Sequence, residues 1–123
     1  MTTTLQLRGR QNHAAGLAAE TRVEDFYGRL GARKVATRWR GKSGEIDLIF
    51  REGATYIFVE VKSSKTFDGA MAALSQRQMG RIMATAEEFC ATLPSGSLTD
   101  MRFDVALLDR AGGLKIIEGA VFL

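Results

Sequence analysis

Residues 44–64, GEIDLIFREGATYIFVEVKSS, constrain the fold of this chain more than any other stretch. Two runs rich in β-branched and aromatic residues, EIDLIF and TYIFVEVK, flank the short glycine-containing segment REGA, and this pattern predicts a β-hairpin. Three charged residues, Asp47, Glu60 and Lys62, lie inside these runs rather than at their ends. Because burying an unpaired charge costs free energy, we expect them to be paired with one another or with a bound ion.

The alternation of side chains along TYIFVEVK determines which charges can meet. Glu60 and Lys62 are expected to share a face with Tyr56 and Phe58. The other face carries only branched aliphatic side chains and is predicted to lie in the core: Ile57, Val59 and Val61. A neighbouring strand that begins GEIDLIF can present Asp47 to the charged face, which would bring two acids and a lysine together.

Five further elements are predicted around the hairpin. A first helix runs from about Gln11 to Leu30, because the apolar residues at positions 23, 26, 27 and 30 fall on one face, and Gly31 ends it. Residues 33–39 predict a strand, Ala70 to Leu93 a second helix, and residues 102–109 and 114–122 two more strands. The order, αβββαβ with an extra C-terminal strand, indicates an α/β fold.

Length and composition are those of one globular domain. The chain has 123 residues, of which 46% are hydrophobic and 25% charged, as is typical of a single core. We expect the polar residues 1–10 to form a flexible N-terminal arm and residues 11–123 to form the domain. The single cysteine, Cys90, excludes an internal disulfide and a cysteine-rich zinc site. No signal-peptide pattern or bilayer-spanning run is present, so the sequence predicts a cytoplasmic protein without a membrane partner.

The basic residues are concentrated in the first third of the chain. Residues 1–43 contain nine Lys or Arg and three Asp or Glu, a net charge of +6, whereas residues 44–123 contain eight and eleven, a net charge of −3. The basic part can hold a polyanion while the acidic part holds a cation. A solvated helix face rich in arginine would give the same charge pattern.

The chemistry of the charged cluster favours a metal site. Two carboxylates a few ångströms apart repel each other, and their pKa values rise unless a cation lies between them. Lys62 supplies one charge, and Mg²⁺ would supply more, because it binds carboxylate, water and phosphate oxygens together. Lys62 would then be free to orient or deprotonate a metal-bound water, as phosphodiester hydrolysis requires. A salt bridge of Lys62 with Glu60 or Asp47 is the structural alternative.

Three motifs, GEIDLI, FVEVK and RFDV, resemble those of the YraN-like uncharacterised bacterial family, which belongs to the restriction-endonuclease-like PD-(D/E)XK nuclease superfamily. The layout is also similar to that of archaeal Holliday-junction resolvases. The resemblance implies a single nuclease-like domain over residues 11–123, with a mixed central sheet flanked by helices. Asp47 would be the aspartate of the superfamily motif, and Glu60-Val61-Lys62 its E-X-K. The implied cofactor is Mg²⁺ or Mn²⁺, held by Asp47, Glu60 and the backbone carbonyl of Val61.

Two further residues join the predicted catalytic set through this resemblance. Glu20 lies on the inward face of the first helix at the place of the family's glutamate, although Ala19 replaces the preceding glycine. Gln78 interrupts the apolar stripe of the second helix near the family's lysine, so it matches in location rather than in type. The alternatives are a charge at the margin of the stripe for Glu20 and an amide reaching solvent for Gln78. The predicted catalytic residues are Asp47, Glu60, Lys62, Glu20 and Gln78.

The resulting hypothesis is a metal-dependent endonuclease that hydrolyses phosphodiester bonds in DNA. Arg38, Arg40, Lys42 and Arg81 are the predicted nucleic-acid contacts, and phosphate contacts of this kind do not read sequence. Selectivity for branched or junction DNA therefore fits better than sequence-specific cleavage. The alternatives are a non-catalytic nucleic-acid-binding protein that retains the fold, and a structural protein with a buried ion-pair network. A homodimer is compatible with the resemblance, because two strand cuts need two sites.

Overall fold

A computed structural model describes residues 18–120 of the chain. In chain order its elements are α1 (residues 18–29), β1 (Arg33–Arg40), β2 (Glu45–Glu52), β3 (Thr55–Ser63), α2 (Phe67–Ala72), α3 (Gln76–Ala91), a 3₁₀ helix (Gly96–Leu98), β4 (Asp100–Leu108) and β5 (Leu114–Ile117). The predicted arm at residues 1–10 and the start of the first predicted helix, at Gln11, lie outside the described residues. Within residues 18–120, no helix combines the length and apolar character needed to cross a bilayer.

Five strands form one mixed sheet in the order β1-β2-β3-β4-β5. Neighbouring strands are antiparallel except β3 and β4, which are parallel and are connected through α2, α3 and the 3₁₀ helix. Such a pair needs a long crossover, because the chain must return to the starting end of the sheet. The predicted α/β fold, a restriction-endonuclease-like core with a mixed sheet flanked by helices, is confirmed.

Helices cover both faces of the central strands. The cluster beneath α1 includes the buried residues Val23, Tyr27, Leu48, Phe50, Ile57 and Val59. The cluster beneath α3 includes the buried residues Ile46, Ile49, Phe58, Ile82, Ala86 and Phe89. The aliphatic face of β3 thus lies in the core, as its pattern predicts, and the opposite face of the strand is core as well. Glu60, on that opposite face, is buried for this reason.

The predicted second helix is in fact two helices. Before α2, the Thr66 hydroxyl accepts a hydrogen bond from the Gly69 N–H at 3.0 Å, and the helix ends at Ala72. Before α3, the Ser75 hydroxyl accepts the Gln78 N–H at 3.1 Å. A serine that binds the free N–H groups of a first turn favours the start of a helix over its interior. Ser75 therefore divides a segment that apolar spacing alone had joined.

The last strand, β5, is shorter than predicted, because it ends at Ile117 and not at residue 122. Gly119 follows with φ +62°, a left-handed conformation that favours glycine. Its N–H donates to Asp104 Oδ1 at 3.3 Å, so the chain turns back toward β4 at this point. Residues 121 and 122 lie outside the described part of the chain.

The edge strand β1 is irregular at two places. Its register with β2 shifts between Lys34 and Ala36, which indicates a β-bulge at Val35. Arg38 has φ +50°, a left-handed conformation that is uncommon for residues other than glycine. The second irregularity lies beside the candidate site described below.

A buried carboxylate joins α1, β4 and the segment after β5. Asp104 is 2% exposed, and it accepts hydrogen bonds from Tyr27 Oη at 2.6 Å and from Arg102 Nε and Nη2 at 3.0 Å. Burial, and then the hydrogen bond to Asp104, raise the pKa of Tyr27 well above its ordinary value. The bond to Asp104 also raises the pKa of Arg102. The buried charge of Asp104 is thus compensated by donors from three parts of the chain.

Replacing Tyr27 with phenylalanine tests whether the hydrogen bonds to Asp104 stabilise the fold. We expect Tyr27→Phe to lower the free energy of unfolding by about 1–3 kcal/mol, because a buried acceptor loses a donor. Urea denaturation followed by circular dichroism measures the change. The matched control is Tyr56→Phe, since the Tyr56 hydroxyl has no hydrogen-bond partner within residues 18–120. Equal losses in the two variants would contradict the role assigned to Asp104.

Candidate functional site

The side chains of β2 change faces at Asp47. Ile46 packs beneath α3, whereas Leu48, two residues later, packs beneath α1. Regular alternation would place both on one face of the sheet, so the strand is distorted between them. The in-register pairing of β2 with β3 starts only at Leu48, opposite Val59. Asp47 is therefore outside the regular ladder, where β2 and β3 separate.

The same rung of the sheet is distorted in β1. The register of β1 with β2 places Arg38 opposite Asp47, and Arg38 is the residue with φ +50°. Such a conformation costs on the order of 1–3 kcal/mol for a residue with a side chain. It places the guanidinium on the α1 side, where Nη2 donates to both carboxylate oxygens of Glu20 at 2.9 Å. This ion pair helps to hold Arg38 in its strained conformation.

Asp47 and Glu60 meet at the place where β2 and β3 separate. Asp47 Oδ2 accepts a hydrogen bond from the Val61 N–H at 2.8 Å, in the position that a backbone carbonyl would have in a regular ladder. This bond holds the Asp47 carboxylate beside that of Glu60, which is 7% exposed. Lys62 Nζ lies 3.6 Å from Glu60 Oε1. The structure thus brings together the two acids and the lysine of the motif.

The surroundings of Glu60 favour its neutral form. Burial, and then the hydrogen bond and negative charge of Asp47, raise the pKa of Glu60 to about 8, while Lys62 opposes the shift. At neutral pH and without a bound cation, Glu60 therefore holds a proton next to the Asp47 carboxylate. When both acids are ionised, one lysine does not compensate them, so the pair has the electrostatic character of a cation site.

Asp47 and Glu60, but not Lys62, line a small cleft beneath the first turns of α3, referred to below as the acidic cleft. It has a volume of about 250 Å³ and is lined by Gly44, Glu45, Asp47, Glu60, Gln78, Arg81 and Ile82. Gln78 and Arg81 form its α3 wall. Gln78 is therefore close to the two acids, and Arg81 brings a positive charge to the same space.

The other predicted site residues on α1 and β1 lie around the acidic cleft rather than in its lining. Glu20 and Arg38 form their ion pair on the α1 side of the sheet. Arg40 donates to Glu45 at 3.0 Å and keeps its side chain 80% exposed. Among the predicted nucleic-acid contacts, all of which fall within residues 18–120, Arg81 alone lines the acidic cleft.

Glu88 on α3, which the sequence did not single out, fixes the turn beside the acidic cleft. Its carboxylate accepts the N–H groups of Lys42 and Ser43, both at 3.1 Å. A Cβ atom at Gly41 would collide with this carboxylate, so a larger residue there would displace Glu88 from the two N–H groups. Lys42 is held by its backbone, and its side chain is exposed at the rim. No local pattern reveals Glu88, because 46 residues separate it from Lys42.

The oxygen donors of the acidic cleft fit a hard divalent cation. Its two carboxylates leave positions for waters and phosphate oxygens, which is the coordination that Mg²⁺ prefers. Within residues 18–120, no group of three or more His, Cys, Asp or Glu side chains could hold a metal. The cleft is therefore unlike a closed structural zinc site, whose ligands all come from the protein.

Comparison with known proteins shows that the sequence carrying these elements is similar to that of a protein family. The profile of the uncharacterised protein family UPF0102 matches residues 19–108, which include both acids and Lys62. UPF0102 protein SPO0400 of Ruegeria pomeroyi is 53% identical over 116 residues, covering 94% of this chain and 94% of its own. UPF0102 protein Rsph17029_0461 of Cereibacter sphaeroides is 54% identical over 114 residues, with 93% and 97% covered. A UPF0102 protein of Dinoroseobacter shibae is 44% identical over 112 residues, with 91% and 84% covered.

The raised pKa of Glu60 gives the metal-free protein a defined pH dependence. This pKa is about 8 in the folded chain against an ordinary value of 4.5, so between these pH values only the folded chain keeps the proton. Stability therefore falls as pH rises through this interval, by at most about 1.4 kcal/mol for each pH unit. We expect Glu60→Gln to remove this loss, and hence to unfold at higher urea concentration than wild type at about pH 8 but not at about pH 5.

Urea denaturation in the presence of a chelator measures the difference at the two pH values. The matched control is Glu52→Gln, which changes an exposed glutamate at the end of β2 and should follow wild type. A pH dependence that is the same in wild type and Glu60→Gln would contradict the assignment of the proton to Glu60.

Proposed function

We propose, from the premise that the chain belongs to the uncharacterised protein family UPF0102, that it is a metal-dependent endonuclease of the PD-(D/E)XK type, which hydrolyses phosphodiester bonds in DNA. The membership confirms the YraN-like assignment predicted from GEIDLI, FVEVK and RFDV. The proposal is carried by one observation: the Asp47 carboxylate lies beside Glu60, with Lys62 Nζ 3.6 Å from Glu60. A buried ion pair alone does not require the second acid.

Asp47, Glu60 and the Val61 carbonyl would hold Mg²⁺ or Mn²⁺, which when bound supplies Lewis-acid stabilisation and a water of lowered pKa. Asp47 has one oxygen to offer, because Oδ2 already accepts the Val61 N–H and Oδ1 remains. Glu60 must release its proton before its carboxylate can serve as a ligand. The raised pKa of Glu60 therefore predicts that metal binding strengthens as the pH approaches about 8.

Lys62 is the proposed catalytic cation. Its side chain is 20% exposed, so the ammonium group lies at the boundary between the buried Glu60 and solvent. From this position the Nζ ammonium group can donate a hydrogen bond that orients the attacking water. Its attraction to Glu60 also favours the ionised carboxylate that a metal site needs.

Other residues of the proposed catalytic set act on the phosphate or on Asp47. On the α3 wall, the Gln78 amide would donate to a phosphate oxygen, and the Arg81 guanidinium would compensate its charge. Glu20 does not line the cleft, so we assign it a positioning role: it holds Arg38, which lies opposite Asp47 in the sheet.

The proposed substrate is DNA recognised by shape. Arg40 and Lys42 are exposed at and next to the end of β1, close to the rim of the acidic cleft, where they would contact phosphates. Phosphate contacts fix the position of a nucleic acid without reading its bases. Branched or junction DNA fits such a protein, and two cuts at one junction would require the acidic clefts of two chains. We therefore include a homodimer in the proposal.

Cleavage of a panel of labelled DNAs tests the proposal. Single-stranded, duplex, flap and four-way-junction DNAs are incubated with Mg²⁺ or Mn²⁺ and with wild type, Asp47→Asn or Lys62→Ala. We expect wild type to cleave and each variant to lose at least about 100-fold in rate. Asp47→Asn is a sharp test, because asparagine keeps an oxygen for the Val61 N–H while removing the charge. Lys115→Ala, at an exposed lysine on β5, is the control and should cleave like wild type.

Two results would overturn the nuclease proposal. Binding of the DNAs by all four proteins, with no cleavage by wild type, would favour the non-catalytic nucleic-acid-binding alternative. Cleavage that persists in both Asp47→Asn and Lys62→Ala would show that the reaction takes place elsewhere or in a contaminant.

A further inference from the structure

A second and larger cleft lies at the same end of the sheet as the acidic cleft, but on the α1 side. Its volume is about 610 Å³, and its lining comes from the start of α1, the end of β3 and the segment after β4. The polar residues of its lining are Arg22, Ser63, Ser64, Lys65, Asp109 and Arg110. We refer to it as the basic cleft. This is the carboxyl end of the parallel strands β3 and β4, where ligands of open α/β sheets commonly bind.

Within the described part of the chain, the cations of the basic cleft have no ion-pair partner. Arg22, Lys65 and Arg110 are all exposed, and within residues 18–120 none of them forms an ion pair. Asp109, the acid of the lining, accepts the Gly113 N–H at 2.6 Å through its Oδ1 and keeps its negative charge. Three basic residues therefore face one acidic residue in the lining, and the excess positive charge would attract an anion.

The backbone holds two of these cations side by side. The Arg110 N–H donates to the Lys65 carbonyl at 3.3 Å, and the Ser64 N–H donates to the Leu108 carbonyl at 3.0 Å. Lys65 and Arg110 therefore leave the ends of the paired strands at the same place. The hydroxyls of Ser63 and Ser64 add neutral donors to the cavity. Its lining contains no aromatic side chain on which a base could stack, so the chemistry suits phosphate rather than base.

The end of β3 separates the two clefts. Lys62 is paired with Glu60 of the acidic cleft, whereas the next residue, Ser63, lines the basic cleft. Successive residues of a strand point to opposite faces, so the two clefts lie on opposite sides of the sheet at the end of β3. We propose that the basic cleft binds the phosphodiester backbone of the nucleic acid whose scissile phosphate lies in the acidic cleft. This inference rests on the proposed function and names the second surface that the substrate contacts.

Salt-dependent DNA binding tests the basic cleft without any need for cleavage. Wild type, the double variant Arg22→Ala/Arg110→Ala and the control Arg29→Ala/Lys115→Ala bind a labelled four-way junction in the presence of a chelator. The control removes the same charge from exposed positions, one of them two turns further along α1. Affinities are measured between about 50 and 200 mM salt, and each lost phosphate contact should reduce the slope of log K against log salt by about 0.9.

We expect the slope of log K against log salt to be smaller by about 1.8 in Arg22→Ala/Arg110→Ala than in wild type. The slope of the control variant should change little. All four substituted residues are exposed, and circular dichroism checks that the variants are folded. Equal slopes in the two double variants would overturn the basic cleft as a DNA site while leaving the nuclease proposal to its own cleavage test. A selective loss of slope in a protein that cleaves nothing would support the basic cleft and overturn the nuclease.

Two further outcomes would also overturn the inference. If wild type shows no salt-dependent binding to DNA, both the basic cleft as a DNA site and the proposed function are contradicted. Inorganic phosphate can also be added to the junction complex, at a concentration that does not change the salt dependence of the control variant. If it then displaces the junction from wild type, the cavity is a site for a small phosphate and not for a nucleic-acid backbone.

Discussion

The hydrogen bond from the Val61 N–H to Asp47 Oδ2 is the interaction on which the geometry of the acidic cleft depends. It continues the attachment of β2 to β3 beyond the last regular pair, with a side chain in the place of a backbone carbonyl. It also uses a single oxygen of Asp47, which leaves the other for a cation. It acts together with the hydrogen bond between the Asp47 and Glu60 side chains, and once Glu60 ionises it opposes the repulsion between the two carboxylates.

The arrangement of the acidic cleft lowers the stability of the fold through residues on several elements. Glu60 lies among apolar side chains, where its ionised form is disfavoured, and Arg38 has a strained backbone on the opposite strand. Helices on both faces of the sheet contribute the hydrophobic burial that lets the domain tolerate these costs. The Asp104 centre, with donors from Tyr27 and Arg102, adds fully compensated polar contacts away from the cleft. Strain is thus concentrated at the candidate site and stability elsewhere.

Sequence periodicity was sufficient to predict the hairpin, the order of the strands along the chain and the face of β3 that lies beneath α1, because each depends on neighbours a few residues apart. It failed where a distant or capping contact decides the outcome. Ser75 starts a new helix by binding one N–H group, and Gly119 turns the chain toward Asp104, so both predicted boundaries were wrong. The change of face at Asp47 and the contact of Glu88 with the β1–β2 turn depend on residues from other strands and helices, which no local spacing encodes.

The irregular shape of β1 has a consequence for assembly. A sheet edge normally exposes a row of N–H and C=O groups to which a strand of another molecule can attach. In β1, the bulge at Val35 and the left-handed residue Arg38 interrupt that row, and arginine and lysine side chains repeat along the strand. Two copies of the chain are therefore disfavoured from merging their sheets along this edge. The distortion of β1 opposite Asp47 thus also opposes growth of the protein into a continuous multichain sheet.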